Sequence, residues 1–341
     1  MRVLVTGGTG YVGEPVLKTL LEQGHEVRAL VRDPSRLRVA GVEPFQGDAL
    51  DPATLLPASQ GCQACVNLVG VLREDPERGV TFDKLHYQAT RNLLTACQQA
   101  EVRRFVQMSA NGAERGLPYA YFVSKAKAEV AVRASELETV ILRPSVIYGG
   151  PSDRPSFLGT LENLFRWAPA VPYFSGPGFE LAPVSAREVA LAIGACLVHP
   201  DVAGKTFHLC GAEVYSYKEL LRLVRDLGGH KAILFPLPYA LVRFPAVWLG
   251  KQRWFPATAD MLGMLKAGNI RPAGAPDFHG LLDVPEDSFK EWLLQGRDGQ
   301  SRPEDEPAEP LPRAAPTREL YIPRIEDFPP GELPSAGEKN S

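Results

Sequence analysis

Along the first part of the chain, short apolar runs alternate with stretches of helical period. The candidate strands are Val3 to Thr6, Val27 to Val31, Pro44 to Gln46, Ala64 to Val69, Phe105 to Met108 and Val140 to Leu142. Between the first two, Val12, Val16, Leu17, Leu20 and Leu21 fall on one face of a helix over Tyr11 to Gln23. Phe82 to Gln99 and Tyr121 to Glu136 are the longest of the other helical segments. This alternation is the signature of βαβ units, and it predicts an α/β fold built on a Rossmann-type, doubly wound parallel sheet.

After Gly150 the alternation breaks. Pro151, Pro155, Pro169, Pro172 and Pro177 punctuate a segment rich in Phe157, Phe165, Trp167, Tyr173 and Phe174. Proline cannot donate to a strand ladder, so residues 150–183 are expected to form an irregular cap over a pocket. A helix over Arg187 to Leu197 and a strand over Thr206 to Leu209 return the chain to the sheet, and residues 210–296 read as small helices and turns of a C-terminal subdomain. The folded unit is thus expected to span residues 1–296. From Arg297 to Ser341 proline recurs, acidic residues outnumber basic ones and apolar periodicity vanishes, the composition of a disordered tail. Within it, Leu320, Tyr321, Ile322 and Phe328 leave open a short docking strip.

The apolar stretch Ala232 to Gly250 approaches the ~20 residues needed to span a bilayer. Pro236, Pro238, Pro245 and Arg243 argue against a span. Two readings stay open: packing within the C-terminal subdomain, or contact with a membrane interface or a partner through Phe235, Tyr239, Phe244 and Trp248.

Composition narrows the picture without changing it. A net charge of -3 gives no basic footprint for phosphate backbones, so nucleic acid is not an expected partner. The first apolar run follows directly on Met1 and Arg2, and the 5 cysteines are sparse and odd in number. Both features point to the cytoplasm, with peripheral contact at the inner membrane left open by the apolar segment. Cys62 and Cys65 have redox spacing, but Cys65 falls inside the fourth strand where no helix begins, so core or loop thiols are expected. The 6 histidines do not cluster at metal-ligand spacing, and no metal is expected.

The first turn carries chemistry. Thr6-Gly7-Gly8-Thr9-Gly10-Tyr11-Val12-Gly13 follows a β-branched strand and opens an amphipathic helix, the context a dinucleotide-binding glycine motif requires. Gly7 permits the tight turn, Gly10 lets the backbone approach a pyrophosphate, and Gly13 allows close packing of helix on strand. Backbone N–H groups at Thr9 to Gly13 would then face the phosphates. Arg32 stands at the end of the second strand, where NAD-selective sites often place a carboxylate, and Arg36 lies within reach. A guanidinium pairs with a ribose 2'-phosphate, which favours NADP(H) over NAD(H), although the adjacent Asp33 would reverse that choice if the strand ended one residue later. Asp48 is placed either to accept from an adenine amino group or to serve as a turn or cap residue. Ala49, Val69, Gly70 and Pro144 complete the candidate cofactor contacts.

Ser109 ends the fifth strand, and Tyr121 with Lys125 opens the next helix four residues apart, on one face. A phenol with an ordinary pKa of about 10 needs a nearby cation to act near neutrality, and Lys125 supplies one. Ser109 lies where an open α/β sheet binds ligands and is the candidate for holding a substrate carbonyl. A Tyr and Lys so spaced are otherwise an ordinary surface pair; the glycine turn upstream and the serine favour chemistry.

At these residues the chain resembles the extended branch of the short-chain dehydrogenase/reductase superfamily, over roughly Met1 to Trp292. Tyr121-Phe122-Val123-Ser124-Lys125 looks like its Tyr-x-x-x-Lys motif, and Leu142-Arg143-Pro144-Ser145-Val146-Ile147-Tyr148-Gly149 like its Arg-Pro strand end. Met108-Ser109-Ala110-Asn111-Gly112-Ala113, His86 with Thr90-Arg91-Asn92-Leu93, and Pro256 to Leu262 are most similar to the atypical group of the respiratory complex I alpha-subcomplex subunit 9. Two departures stand out. Ala110 and Asn111 occupy positions where sugar-nucleotide epimerases and dehydratases usually carry a second Ser or Thr, and His86 stands where the branch usually has Asn. The resemblance implies two roles: a carbonyl reductase or epimerase in which Lys125 holds the nicotinamide ribose, or a dinucleotide-binding accessory protein with a respiratory or quinone-related partner. The small-molecule substrate is not legible in the cap.

Overall fold

The computed structural model describes residues 1–174, 178–241 and 258–298. The central sheet has the order β11-β6-β5-β4-β1-β2-β3 and is parallel throughout. Its strands are β1 (Arg2–Thr6), β2 (Glu26–Val31), β3 (Glu43–Gln46), β4 (Ala64–Asn67), β5 (Arg104–Met108), β6 (Glu138–Pro144) and β11 (Thr206–Leu209). The helices between them are α1 (Gly13–Glu22), α2 (Pro52–Ser59), α3 (Ala89–Gln99), α4 (Ala120–Arg133) and α6 (Ala186–Val198). Strand order reverses between β1 and β4, so the carboxyl ends of these two strands open the crevice where such sheets bind ligands.

Strand alternation sends neighbouring side chains to opposite faces. Leu4 and Leu30 join Leu55, Ala58, Leu93, Cys97 and Val132 in the layer under α2, α3 and α4. Val3 and Val5, also fully buried, point to the other layer, where α1 packs on α6. α6 is buried along most of its length and starts at a capping box in which Ser185 and Glu188 satisfy each other's backbone N–H groups. This reciprocal arrangement fixes the first residue of the helix.

The predicted elements are recovered with shifted ends. β4 stops at Asn67 rather than Val69. Asn67 Oδ1 accepts from Thr6 Oγ1 and the Val69 N–H, which turns the chain out of the sheet. The first turns of the predicted Phe82 helix are a wide helical turn with i to i+5 hydrogen bonds, Asp83–Gln88.

The cap is more regular than proline content implied. α5 (Phe157–Trp167) is a helix that Ser156 caps through the Gly159 N–H, burying Leu158, Leu161 and Phe165. β8 (Ala170–Tyr173) pairs in parallel with β13 (Ile233–Pro236). A ladder of two strands is all edge, which is where proline is tolerated. The remaining short strands β7 (Ile147–Tyr148), β9 (Glu180–Leu181), β10 (Val184–Ser185) and β12 (Tyr215–Ser216) pair as β7 with β10 and β9 with β12. Helices α7 (Tyr217–Leu227), α8 (Ala259–Ala267), α9 (Phe278–Leu282) and α10 (Phe289–Asp298) complete the subdomain.

A second core, including Tyr148, Phe174, Phe179, Tyr217, Phe289 and Trp292, holds these pieces together. Tyr239 packs edge-on to Phe174 and Phe179, the packing alternative for the start of the apolar stretch. Phe244 and Trp248, and the tail with Leu320, Tyr321, Ile322 and Phe328, lie outside the described residues. Among the described residues, no helix is long and apolar enough to cross a membrane.

Candidate functional site

The glycine turn sits at the switch point. Gly7 has φ +77, and a Cβ there would lie 2.8 Å from the Leu68 carbonyl carbon. Its carbonyl closes the turn by accepting the Gly10 N–H at 2.9 Å. A Cβ on Gly13 would fall within 2.5 Å of the Gly8 carbonyl and closer still to that of Gly7, so the helix can enter here only without a side chain. Tyr11 closes the other side of the turn, and a Cβ on Gly150 would meet its ring and carbonyl. Val12 precedes α1 as its N-cap, and no side chain caps the first turn. A helix N-terminus with no side-chain cap, beside a turn where a Cβ would strike backbone, fits a pyrophosphate. Thr9, Tyr11 and Val12 are partly exposed there.

At the end of β2 the structure separates Arg32 from Asp33. β2 ends at Val31, and Asp33 Oδ1 accepts from both the N–H and the hydroxyl of Ser35, capping a short helical turn over Pro34–Arg36. Those contacts hold the Asp33 carboxyl below the usual carboxylate range. Arg32 and Arg36 are exposed. Asp48 Oδ1 accepts the Leu50 N–H at 2.9 Å, the turn role weighed above. Ala49 is buried, with Val69 against the same core, and Pro144 is buried at the end of β6.

Tyr121 and Lys125 both lie on the buried face of α4. The Tyr121 ring meets His86, Phe82 and Phe122 edge-on, at 5.2, 5.5 and 5.7 Å between centroids. Burial pushes its phenol up to about 12. Lys125, 3% exposed, donates to the Met108 carbonyl at 3.1 Å. Burial brings its pKa down to about 8, against a raising influence of Glu129. A Cβ on Gly70 would lie 3.2 Å from Lys125 Nζ and 3.4 Å from His86 Nε2, so the loop after β4 runs directly over both groups.

The Ser109 hydroxyl is engaged by a neighbouring carboxylate. Ser109 is 3% exposed, and its hydroxyl donates to Glu129 Oε1 at 2.5 Å. Glu129 is in turn held by Arg143, through Nε at 2.9 Å and Nη2 at 2.6 Å, and by Arg133 at 2.8 Å. Burial raises the Glu129 carboxyl, but Arg143, Ser109 and Arg133 outweigh it, and the pKa lies below the usual value. The Ser109 hydrogen bond ties the end of β5 to α4.

Sequence spacing missed this cluster because its members come from separate elements. Asn111 extends it, donating to Asn269 Oδ1 and the Ile270 carbonyl and so tying the loop after β5 to the C-terminal subdomain.

All five cysteines are buried and free. Burial raises the thiol pKa values of Cys62 and Cys65, opposite to what redox reactivity needs. Among the described residues, Asp277, His279 and Glu286 bring ligand-type atoms within 4.8 Å of one another, a grouping the spacing did not reveal. The His279 nitrogens face Glu188 and Asp277 at 2.7 and 3.0 Å, an ion-pair arrangement that joins α9 to α6.

Comparison with known proteins agrees with this geometry. A family profile described as NAD(P)H-binding matches residues 7–167. The chain is 30% identical to the mouse (Mus musculus) protein named NADH dehydrogenase [ubiquinone] 1 alpha subcomplex subunit 9, mitochondrial, covering 82% of this chain and 74% of that one. It is 27% identical to a ceramide reductase of Caulobacter vibrioides, covering 82% and 91%. In fold it matches a nucleoside-diphosphate-sugar epimerase from Staphylococcus aureus with a TM-score of 0.69, over 86% of this chain and 100% of the other at 17% identity. The chain therefore belongs to the NAD(P)H-binding family that includes complex I alpha-subcomplex subunit 9.

Proposed function

We propose that this chain is an NADP(H)-dependent oxidoreductase of the carbonyl-reductase type, with Tyr121 as proton donor. The observation that carries the reading is Lys125, a fully buried ammonium whose hydrogen bond goes to a backbone carbonyl and whose pKa is brought down to about 8. Burying a cation costs several kcal/mol, and strongly perturbed groups in a ligand crevice concentrate where chemistry is done.

When bound, the reduced nicotinamide supplies a hydride to a carbonyl carbon. Tyr121 gives its phenol proton to the carbonyl oxygen, which keeps the electron pair of the broken π bond. Because burial holds the phenol near 12, Tyr121 is protonated at neutral pH, which favours the reductive direction. Lys125, still charged at neutral pH, stabilises the negative charge that develops on oxygen. Gly7, Gly10 and Gly13 hold the pyrophosphate, and Arg32 with Arg36 selects the 2'-phosphate, since Asp33 is engaged with Ser35. Ala110 and the committed Ser109 leave the strand end without a free hydroxyl for a sugar substrate, which argues against a nucleotide-sugar epimerase or dehydratase.

A second reading, a cofactor-binding accessory protein linked to respiratory complex I or quinone metabolism, is favoured by the likeness to subunit 9 and by the same commitment of Ser109. The two separate on one pattern of kinetics. Under the first, Tyr121→Phe lowers turnover by roughly a hundredfold or more at unchanged NADPH affinity, and Lys125→Met lowers both. NADPH binding with no carbonyl turnover in any variant selects the second.

A further inference from the structure

His86 joins the loop after β4 to the helix that carries Tyr121 and Lys125. The residue is 1% exposed, in the wide turn Asp83–Gln88 that leads into α3. Its Nε2 accepts the backbone N–H of Val71 at 3.1 Å. That assigns the ring proton to Nδ1, which lies 2.8 Å from Ser124 Oγ and donates to it. The Ser124 hydroxyl then donates to the Tyr121 carbonyl at 2.7 Å, and every proton in the chain has one acceptor. The ring also stacks on Phe82 at 5.4 Å and meets Tyr121 edge-on. Next to Val71, a Cβ on Gly70 would lie 3.2 Å from Lys125 Nζ and 3.4 Å from His86 Nε2, and a Cβ on Gly7 would meet the Leu68 carbonyl and the Val69 nitrogen, so the loop runs close to all three.

We propose that His86, held as the neutral Nδ1–H tautomer, is a positioning residue that sets the Val69 to Val71 loop against Lys125 and so shapes the nicotinamide end of the cofactor site. The proposal rests on the reading that Lys125 contacts the cofactor. Only the neutral ring can accept from Val71 and donate to Ser124 at once; a protonated ring would turn a donor toward the Val71 N–H. Burial and the neighbouring Lys125 ammonium drive the imidazole down to about 2, so the acceptor persists throughout the physiological range. Arg91, on α3, is directed to the Tyr87 ring, and Asp83 is engaged by Lys127, so these charges are held by other partners. A side-chain amide carries both an acceptor and a donor, so the two hydrogen bonds can be reproduced without the ring.

The test compares the full-length protein with His86→Gln and His86→Phe. His86→Phe keeps an aromatic ring and removes both hydrogen bonds. It is expected to speed exchange of the Val71 amide and weaken NADPH binding by roughly tenfold, the value of one to two hydrogen bonds; His86→Gln is expected to restore both. Nitrogen-resolved NMR of the unmodified protein should report an Nδ1–H tautomer that does not titrate between pH 5 and 8. Unchanged Val71 exchange and NADPH affinity in His86→Phe, or a ring that titrates in that range, would overturn the proposal. These readouts need no substrate. Absence of carbonyl turnover with the Val71 and affinity effects intact would reject the reductase reading and leave the role of His86 standing.

Discussion

Lys125→Met should stabilise the protein in the absence of cofactor. The native chain carries an ammonium whose pKa falls from 10.5 to about 8. At 1.36 kcal/mol for each tenfold change in proton affinity, that fall corresponds to about 3 kcal/mol of destabilisation near neutral pH. Methionine retains most of the buried stem and removes the charge. The Met108 carbonyl keeps a partner, because Gln107 Nε2 also donates to it at 3.0 Å. Glu129 keeps Arg143. The expected gain is therefore roughly 1 to 3 kcal/mol, at about 1.5 °C in Tm for each kcal/mol in a chain of this size.

The sign of the pH dependence follows from linkage. Below about 8 the lysine is charged in both folded and unfolded chains, and the whole burden is present. Between about 8 and 10.5 the unfolded chain binds the proton that the folded chain has released, so the parent grows more stable as pH rises. The advantage of the variant should accordingly shrink across that interval and vanish above it. Thermal unfolding of both proteins without cofactor, over a pH series, measures it. A variant no more stable than its parent near pH 7, or a gap that stays constant to high pH, would refute the picture of Lys125 as a charge kept at the expense of stability. Saturating NADPH should narrow or reverse the order, because ligand stabilises only the chain that binds it well.

Gly13→Ala should abolish dinucleotide binding and lower the thermal midpoint, since its Cβ would strike the carbonyls of Gly7 and Gly8; calorimetric titration checks the first and thermal unfolding the second. Arg32→Ala should erase the preference for NADPH over NADH, read from paired affinity measurements; equal affinities in the parent would dismiss the assignment. Glu129→Ala should destabilise the fold by about 3 kcal/mol, because it removes the two short hydrogen bonds of the buried Arg143 and leaves it the longer 3.5 Å pair with Glu114. The Glu129 carboxyl lies below its ordinary value, so the stability it provides is present above about pH 4.5 and is lost as pH falls through the folded value; the acid limb of the unfolding profile should flatten in the variant.

The βαβ framework was legible because its signals are local. The run Val3 to Thr6 and the helix face of Val16, Leu17 and Leu20 mark their elements within a few residues, and Gly7 and Gly13 in the turn between them admit no side chain. Tyr121 and Lys125 could be paired from their spacing for the same reason. The end of β4 was misplaced by two residues because Asn67, not hydrophobicity, turns the chain. α5 went unread under the weight of the surrounding prolines, although Ser156 as a cap and Leu158, Leu161 and Phe165 at helical spacing were the signals for it. Ser109 was assigned by position along a strand, and its direction depends on Glu129, which approaches from α4, and on Arg143, which approaches from β6. Partners that converge only after the sheet is assembled leave no trace in sequence order.

Hydride transfer from NADPH to a carbonyl can be followed without knowing the substrate. The protein would be loaded with NADPH deuterated at the transferable position of the nicotinamide and incubated with a fractionated extract of small molecules and lipids, and the products read by mass spectrometry. The parent should form an alcohol carrying one deuterium on carbon, and Tyr121→Phe should form roughly a hundredfold or more less of it at equal cofactor occupancy. Bound deuterated cofactor that labels nothing, or labelling undiminished in Tyr121→Phe, would contradict hydride transfer with Tyr121 as proton donor.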